Sequence, residues 1–266
     1  MATLVFLHGL NTFGDDDMRI GALRFGLMHE RWERECSKRD IDFVGITGLG
    51  FGAPDDQADR AIRFLEEAGY LEAEGTKFDL LGHSVGGLAA RAMASRPELA
   101  GRIRMIMTMG TPHRGTHVAE LAMDLRSRHP LICRAMKTCG YDTEAKSAIF
   151  SNFTRVAVDR FNQQNRIPDG VREISLLCEA TWGELSWPYL FGYRHLHPRE
   201  SGAAAFPKSD GFISSESQKR GEILGPFAID HYGELGYFFQ LNPAVRRRAR
   251  REFTRLVDTV AGLVSN

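Results

Sequence analysis

The segment Gly82-His83-Ser84-Val85-Gly86-Gly87 decides the fold, because it places a serine on a tight turn between a strand and a helix. The apolar residues 78–82 predict a buried strand before the turn, and residues 86–95 predict a helix after it. The G-x-S-x-G pattern needs this context, since small residues let the neighbouring chain pack closely while the serine projects its hydroxyl outward. Ser84 is therefore predicted to be a nucleophile.

Working outward from this turn, strands alternate with helices. Strands are predicted over residues 4–7, 42–47, 103–109 and 171–178, and residues 209–213 are predicted to end another strand. Helices are predicted over residues 18–34, 55–68 and 245–264. This alternation favours an α/β fold with a mostly parallel sheet flanked by helices.

The chain length indicates one domain. At 266 residues and 29.8 kDa, the chain is long enough for one large α/β domain and short for two. Residues 117 to about 165 break the strand–helix rhythm with a helical pattern. We therefore predict a single domain over residues 1–266, with an insertion over approximately residues 116–205.

The composition excludes several classes of protein. Lys+Arg and Asp+Glu are both 34, so charge gives no reason to expect nucleic acid or an anionic membrane as the main partner. Residues 246–251 hold the one basic run, which overlaps an amphipathic helix and is interpreted as a solvated face. The chain begins in a strand-like run, without a leader or a transmembrane segment, so a soluble cytoplasmic protein is expected.

The cysteines do not indicate a disulfide framework or a zinc site. Four cysteines are too few for such a framework, and no Cys-x-x-Cys motif or His-Cys cluster occurs. Cys133 and Cys139 lie close enough in sequence to form a bridge, but free thiols are the favoured expectation in a cytoplasmic chain.

A second turn, His8-Gly9-Leu10, follows the first strand and should emerge at the same sheet edge as Ser84. Such a turn aims the N–H of Leu10 at a carbonyl that Ser84 attacks. Together with the N–H of Val85, it would complete an oxyanion hole for a tetrahedral intermediate. The alternative is that His8 only caps a strand.

A serine nucleophile needs a base and an orienting acid, which follow it in the order Ser, Asp or Glu, His on this scaffold. Asp210 and His231 fit this order. Asp230 adjoins His231 and should point away from it, and Asp79 lies at the start of a strand, the wrong end of the sheet. The histidines at positions 8, 83, 113, 195 and 197 precede the acid and do not fit the order.

Four segments carry a family resemblance. They are Phe6-Leu7-His8-Gly9-Leu10, the Ser84 turn with the helix to Arg91, Gly110-Thr111-Pro112-His113-Arg114-Gly115, and Ser209-Asp210-Gly211 with Asp230-His231. Together they resemble bacterial triacylglycerol lipases and close esterase relatives, which are α/β-hydrolases. The resemblance implies a triad of Ser84, Asp210 and His231, with Leu10 and Val85 as oxyanion donors. Many such lipases have Gln where Val85 stands, but a backbone N–H serves the hole equally.

The resemblance also implies a serine carboxylester hydrolase that acts through an acyl-enzyme on an acyl ester or lipid, without an organic cofactor. An acyltransferase or phospholipase with the same triad is the alternative, and a non-catalytic binding protein is less favoured.

The insertion occupies the position of the family's lid and acyl-pocket cap. Its apolar surfaces, like the aromatic loop after residue 178, could line the pocket or meet a lipid interface transiently, or could pack onto the main domain. These residues are Val118, Leu121, Ala122 and Leu125, then Ile149, Phe150, Phe153, Val156 and Phe161, and in the loop Trp182, Trp187, Tyr189, Phe191 and Tyr193.

The same resemblance raises the question of calcium. Lipases of this family commonly hold calcium near the catalytic histidine through an aspartate two residues after it. Gly233 stands at that position and offers no side-chain oxygen, and Glu234 should point elsewhere. A calcium-independent protein without a metal site is therefore predicted, with Tyr232, Leu235, Tyr237 and Phe238 packing this region.

Overall fold

The computed structural model describes residues 2–9, 16–20, 23–50, 52–73, 75–117, 119–120, 123, 149–190 and 208–265. Within them, six strands form one sheet in the order β4-β1-β5-β6-β7-β8, and every neighbouring pair is parallel. The sheet strands are β1 (Thr3–Leu7), β4 (Phe43–Gly45), β5 (Phe78–His83), β6 (Ile103–Met109), β7 (Arg172–Cys178) and β8 (Glu222–Phe227). β2 (Asp17–Ile20) and β3 (Leu23–Leu27) form a separate antiparallel hairpin.

The helices are α1 (Glu30–Ser37), α2 (Pro54–Glu67), α3 (Gly86–Ala94), α4 (Arg155–Gln164), α5 (Trp187–Leu190), α6 (Ser215–Gln218) and α7 (Pro243–Val264). Single 3₁₀ turns occupy Pro97–Leu99, Ser151–Phe153, Trp182–Glu184 and Gly233–Leu235.

Helices cover both faces of the sheet. In β1, Val5 and Leu7 belong to one core cluster, which includes residues of α2 and α3. Leu4 and Phe6 point to the other face, where Trp32 of α1 and residues of α7 complete a second cluster. Successive strand residues face opposite sides, so a strand buried on both faces appears in the sequence as a continuous apolar run. The predicted α/β class with a mostly parallel sheet is confirmed.

The helix predicted over residues 18–34 is wrong in its first part. β2 and β3 pair there as an antiparallel hairpin, and α1 begins only at Glu30. Gly26 has φ +106°, a conformation that a right-handed helix excludes. The spacing of Ile20, Leu23 and Leu27 is the same as on one face of a helix, but Gly26 disfavours a helix in this segment.

Two predictions near the end of the sheet also need correction. Residues 209–213 end no strand within the described chain: Ser209 makes one isolated bridge to Ser214, and a turn lies between them. The last strand is β8, which the sequence analysis missed because most of its residues are exposed and it contains Pro226. Proline is tolerated there because β8 is an edge strand.

The insertion is described only in part. β7, inside the predicted range 116–205, is a strand of the main sheet rather than part of a cap. Residues 118, 121–122, 124–148 and 191–207 lie outside the described residues, and with them Val118, Leu121, Ala122, Leu125, Cys133, Cys139, Phe191, Tyr193, His195 and His197. Cys36 and Cys178 are buried free thiols. None of the described helices is both long and apolar enough to span a membrane.

Candidate active site

Ser84 lies on a strained turn between β5 and α3. Its φ is +55°, which non-glycine residues rarely adopt. A Cβ on Gly82 would lie 2.3 Å from the Cα of Gly87, and one on Gly86 would lie 2.3 Å from the carbonyl oxygen of Leu7. The glycines are therefore required by close backbone approach, as the sequence pattern predicts.

Asp210 and His231 form a hydrogen-bonded pair. Nδ1 of His231 donates to Oδ2 of Asp210 at 2.9 Å, and the backbone N–H of His231 donates to the carbonyl oxygen of Asp210 at 2.9 Å. The other carboxylate oxygen of Asp210 accepts from the backbone N–H groups of Phe212 at 2.7 Å and Ile213 at 2.6 Å. The pair fixes the imidazole tautomer with the proton on Nδ1, which leaves Nε2 able to accept one.

The electrostatics keep Asp210 ionised. Burial by itself would raise the pKa of this carboxyl. The positive charge that His231 can carry, the hydrogen bond from its ring and the two backbone N–H groups outweigh burial, so the pKa of Asp210 lies below its ordinary value. The carboxylate is thus available to stabilise an imidazolium on His231.

Two further side chains surround His231 that the sequence analysis did not place there. Oε2 of the fully buried Glu234 lies 3.4 Å from Nδ1 of His231 and 3.2 Å from Nε2 of His83. The His83 ring packs on the His231 ring at a centroid distance of 4.4 Å, and Nε2 of His83 donates to the carbonyl oxygen of His231 at 3.2 Å. His83 therefore contacts both the ring and the backbone of His231 and can hold this residue in position.

Burial and the nearby negative charge of Asp210 raise the pKa of Glu234 well above its ordinary value, which favours the protonated, uncharged carboxyl. Burial lowers the pKa of His83 well below its ordinary value, and a positive charge on His231 lowers it further. Both shifts favour the uncharged form of a side chain that lies beside the Asp210–His231 pair. The contact of Glu234 follows from the 3₁₀ turn Gly233–Leu235, which a sequence pattern does not reveal.

The remaining acid candidates have other roles. Asp230, next to His231, accepts hydrogen bonds from the backbone N–H groups of Ser186 and Gly233. Burial raises its pKa to about 6 despite these bonds. Asp79 lies in β5 and pairs with Arg104 at 2.6 Å, far from the catalytic edge of the sheet. Neither carboxylate is the partner of His231.

The oxyanion hole is described in part. Val85 is the N-cap residue of α3. Among the described residues, its backbone N–H donates no hydrogen bond. Leu10, the other predicted donor, lies outside the described residues. Gly9 lies against the serine, since a Cβ there would be 2.5 Å from Cβ of Ser84. His8 lies 2.8 Å from Asp16 through Nε2, so it ties its turn to a second loop rather than only capping a strand.

Ser84 and His231 line the same pocket, which has a volume of about 220 Å³. Its described walls are mainly apolar and aromatic. From the insertion, Phe150 and Phe153 reach this pocket, whereas Val156 is 72% exposed and Phe161 is buried in the main core. Tyr189 of the aromatic loop also lines it. An apolar pocket beside a nucleophile suits an acyl chain.

One group of metal-ligating side chains occurs within the described part of the chain. His83, His231 and Glu234 bring potential ligand atoms within 4.8 Å of one another. A cation bound there would engage the same imidazole that pairs with Asp210, so the arrangement suits the proton-transfer pair rather than a resident metal.

Parts of the chain match known proteins in sequence. Residues 56–170 match the family model described as a PGAP1-like alpha/beta domain. Triacylglycerol lipases of Pseudarthrobacter phenanthrenivorans and Burkholderia plantarii are each 34% identical over 79 residues, or 29% of this chain. The aligned segments span only 23% and 21% of those two proteins.

Solved structures match over nearly the whole chain. The Staphylococcus hyicus lipase superposes with a TM-score of 0.64 at 12% identity, covering 98% of this chain and 95% of its own. The mature lipase BlEst2 of Bacillus licheniformis gives 0.61 at 15% identity, with 98% and 91% covered. The chain therefore shares the fold of these lipases. A metagenomic carboxyl esterase gives 0.62 at 17% identity, with 97% and 76% covered.

The predicted similarity to bacterial lipases and esterases is confirmed. The structure places Ser84, Val85 and His231 on one pocket, with Asp210 hydrogen-bonded to His231. The contact of His83 was not foreseen from the sequence, and Glu234, which was expected to point elsewhere, lies against His231 instead. His83 lies inside the motif itself, but its contact with His231 depends on a loop that returns from distant sequence.

Proposed function

We propose that this protein cleaves carboxylic esters through an acyl-enzyme formed on Ser84. The observation that carries the proposal is that His231, whose ring is hydrogen-bonded to Asp210, lines the same pocket as a serine at φ +55°. A strained serine beside a base whose other nitrogen is held by a buried carboxylate is the arrangement that acyl transfer requires.

In the first half-reaction, Oγ of Ser84 attacks the ester carbonyl carbon as its proton passes to Nε2 of His231. The tetrahedral oxyanion accepts a hydrogen bond from the N–H of Val85, with Leu10 proposed as the second donor. Asp210 stabilises the imidazolium through Nδ1. The imidazolium then protonates the leaving alcohol oxygen, the C–O bond breaks, and the acyl group remains on Ser84.

In the second half-reaction, His231 takes a proton from water, which attacks the acyl carbonyl. The second tetrahedral intermediate collapses, and His231 returns a proton to Oγ of Ser84 as the carboxylic acid leaves. In their uncharged forms, Glu234 and His83 add no competing charge at Nε2. The cycle needs no group other than the chain's own residues and water.

The pocket supports an apolar acyl group as the recognised part of the substrate. Burying each additional methylene contributes about 0.8 kcal/mol, or roughly fourfold in kcat/KM. Rates on p-nitrophenyl esters should therefore rise with chain length from acetate until the pocket is full and then level or fall. A flat profile would contradict acyl recognition by this pocket.

The triad is tested by substitution. Ser84→Ala and His231→Ala should each lower kcat by about a million-fold, since triad members act as a unit. A fluorophosphonate probe should label Ser84 in the unmodified protein, as located by peptide mass spectrometry, and should fail to label Ser84→Ala. Near-normal ester hydrolysis by His231→Ala, or the absence of labelling, would refute the proposal.

The acyltransferase and phospholipase alternatives share every residue named above. Product analysis separates them, because hydrolysis of a simple ester releases free acid, whereas a transferase yields a new ester when an alcohol acceptor is added. Preference for phosphatidylcholine over a simple ester of the same acyl length would instead assign a phospholipase.

A further inference from the structure

The first turns of α7 concentrate positive charge in a chain that is neutral overall. Residues 243–251 contain five arginines and no acidic residue. Positive charges are disfavoured near a helix N-terminus, whose own partial charge is positive. Helix stability therefore does not account for this composition.

Some of these arginines are engaged within the fold and others are not. Arg248 pairs with Glu184 at 2.8 Å, and Arg250 lies over the ring of Phe238. Arg247 and Arg251 lie on the outward side of the helix and are exposed. Within the described chain, neither has a carboxylate at ion-pair distance, so their charges are available to an external partner.

Exposed apolar side chains lie on the segments that pack against this end of α7. Trp182 is 50% exposed, Trp187 39% and Leu241 71%. The Trp182–Glu184 turn is tied to α7 by the Glu184–Arg248 ion pair, and the backbone N–H of Trp187 donates to the carbonyl oxygen of Phe239 at 3.2 Å. We name Trp182, Trp187, Leu241, Arg247 and Arg251 the docking patch.

The docking patch lies at the catalytic edge of the molecule. The chain leaves the carboxyl end of β8, passes through His231 and then starts α7, whose far end contacts Arg104 near the opposite edge of the sheet. Tyr189, two residues after Trp187, lines the pocket and stacks on Tyr232 at 4.6 Å. The short helix α5 therefore carries both an exposed member of the patch and a residue that lines the pocket.

We propose that the docking patch binds the surface of an anionic lipid bilayer and so brings the pocket to acyl esters held in that surface. Charge complementarity selects this partner, because exposed arginines attract anionic headgroups and half-exposed tryptophans favour the membrane–water interface. The proposal rests on the proposed ester hydrolysis for the identity of the substrate, but binding itself does not depend on catalysis.

The test measures binding separately from turnover. Ser84→Ala protein is sedimented with phosphatidylcholine vesicles, with and without phosphatidylglycerol. We expect binding to the mixed vesicles only, with most of it lost at about 0.5 M salt. In the same background, Arg247→Gln/Arg251→Gln should weaken binding by roughly thirtyfold, from about fivefold for each arginine near a membrane.

A matched control removes two exposed arginines elsewhere. Arg63 lies on α2, and Arg166 lies before β7, at the opposite edge of the sheet. Arg63→Gln/Arg166→Gln should bind as the parent does. Equal weakening by both pairs, no effect of the α7 pair, or equal binding to neutral vesicles would overturn the docking patch. When Arg247→Gln/Arg251→Gln is made in the protein that retains Ser84, hydrolysis of a soluble short-chain ester should be unchanged. That result also shows that the variant folds.

Tryptophan fluorescence gives a second measurement. Of the three tryptophans, Trp32 is fully buried, so a vesicle-induced blue shift reports Trp182 and Trp187. We expect the shift with anionic vesicles and a loss of part of it in Trp187→Phe. A protein that binds vesicles but hydrolyses no ester would refute the proposed function and leave the docking patch standing; an active esterase without the shift would do the reverse.

Discussion

Glu234 is a second carboxyl group, besides that of Asp210, next to the ring of His231. Its Oε2 lies 3.4 Å from the same Nδ1 that donates to Asp210. In the intact protein, burial and the charge of Asp210 raise the pKa of Glu234 and favour its uncharged form. Without the Asp210 carboxylate, one cause of this raised pKa disappears, and an ionised Glu234 can accept the Nδ1 hydrogen bond.

We therefore predict that Asp210→Ala keeps more activity than Asp210→Ala/Glu234→Gln, by roughly tenfold in kcat, a coupling of about 1.4 kcal/mol. The control is Glu234→Gln alone, which should change kcat much less because Asp210 still orients the ring. Equal rates for the single and double variants at Asp210 would show that Glu234 does not act on His231.

The same carboxyl makes stability depend on pH. Between the ordinary glutamate pKa of 4.5 and the raised value, the folded chain holds a proton that the unfolded chain releases. The free energy of unfolding should therefore fall as pH rises, by about 1.4 kcal/mol per pH unit for this group.

Glu234→Gln lacks this titration, so its stability relative to the parent should improve as pH rises from the ordinary glutamate value of 4.5 towards the raised pKa of Glu234. Urea unfolding at several pH values measures the difference. Asp230 also has a raised pKa, of about 6, but it occurs in both proteins and cancels from the comparison. Parallel stability curves for the two proteins would contradict the raised pKa of Glu234.

The strand–turn–helix unit β5–Ser84–α3 depends on glycine at two points of close approach. A Cβ at Gly82 or at Gly86 would lie 2.3 Å from backbone atoms, which cannot move aside as the end of a side chain can. Gly82→Ala and Gly86→Ala should each lower the free energy of unfolding by about 1–3 kcal/mol and lower activity by displacing Ser84.

Gly262 in α7 is the matched control, since a Cβ there meets nothing within 4 Å. Gly262→Ala should stabilise the helix by up to about 1 kcal/mol. Thermal melting compares the three variants. A similar small change in melting temperature for all three variants would show that the turn can accommodate a Cβ at Gly82 and Gly86.

The elements that could be predicted from sequence are those whose packing leaves a pattern. β1, β5 and β6 are buried on both faces and form apolar runs, and the end of α3 agrees within one residue. The β2–β3 hairpin failed because its apolar spacing also fits a helix, and only the backbone at Gly26 distinguishes the two. β8 failed because an exposed edge strand carries no apolar run.

For the whole molecule, chain order predicted the site because parallel strands bring their following loops to one edge. Asp210 and His231 could be found in this way, since Asp210 lies between β7 and β8 and His231 follows β8. His83 and Glu234 could not, because their contacts with His231 depend on how the loop after β8 turns back over β5. The docking patch likewise joins segments that are distant in sequence.

The loop after β8 also decides whether the molecule needs calcium. Calcium takes six to eight oxygen ligands, mostly carboxylates and carbonyls. Gly233, two residues after His231, supplies no side-chain oxygen, while Asp210 and Asp230 direct their carboxylates to ring and backbone N–H donors. Instead, Leu235 and Tyr237 are buried here, with Tyr232 and Phe238 packed against the same core.

We therefore predict that exhaustive EGTA treatment leaves both the melting temperature and the rate of ester hydrolysis unchanged. A large fall in either quantity that added calcium restores, and that added magnesium does not, would show that these carboxylates exchange their present donors for a cation.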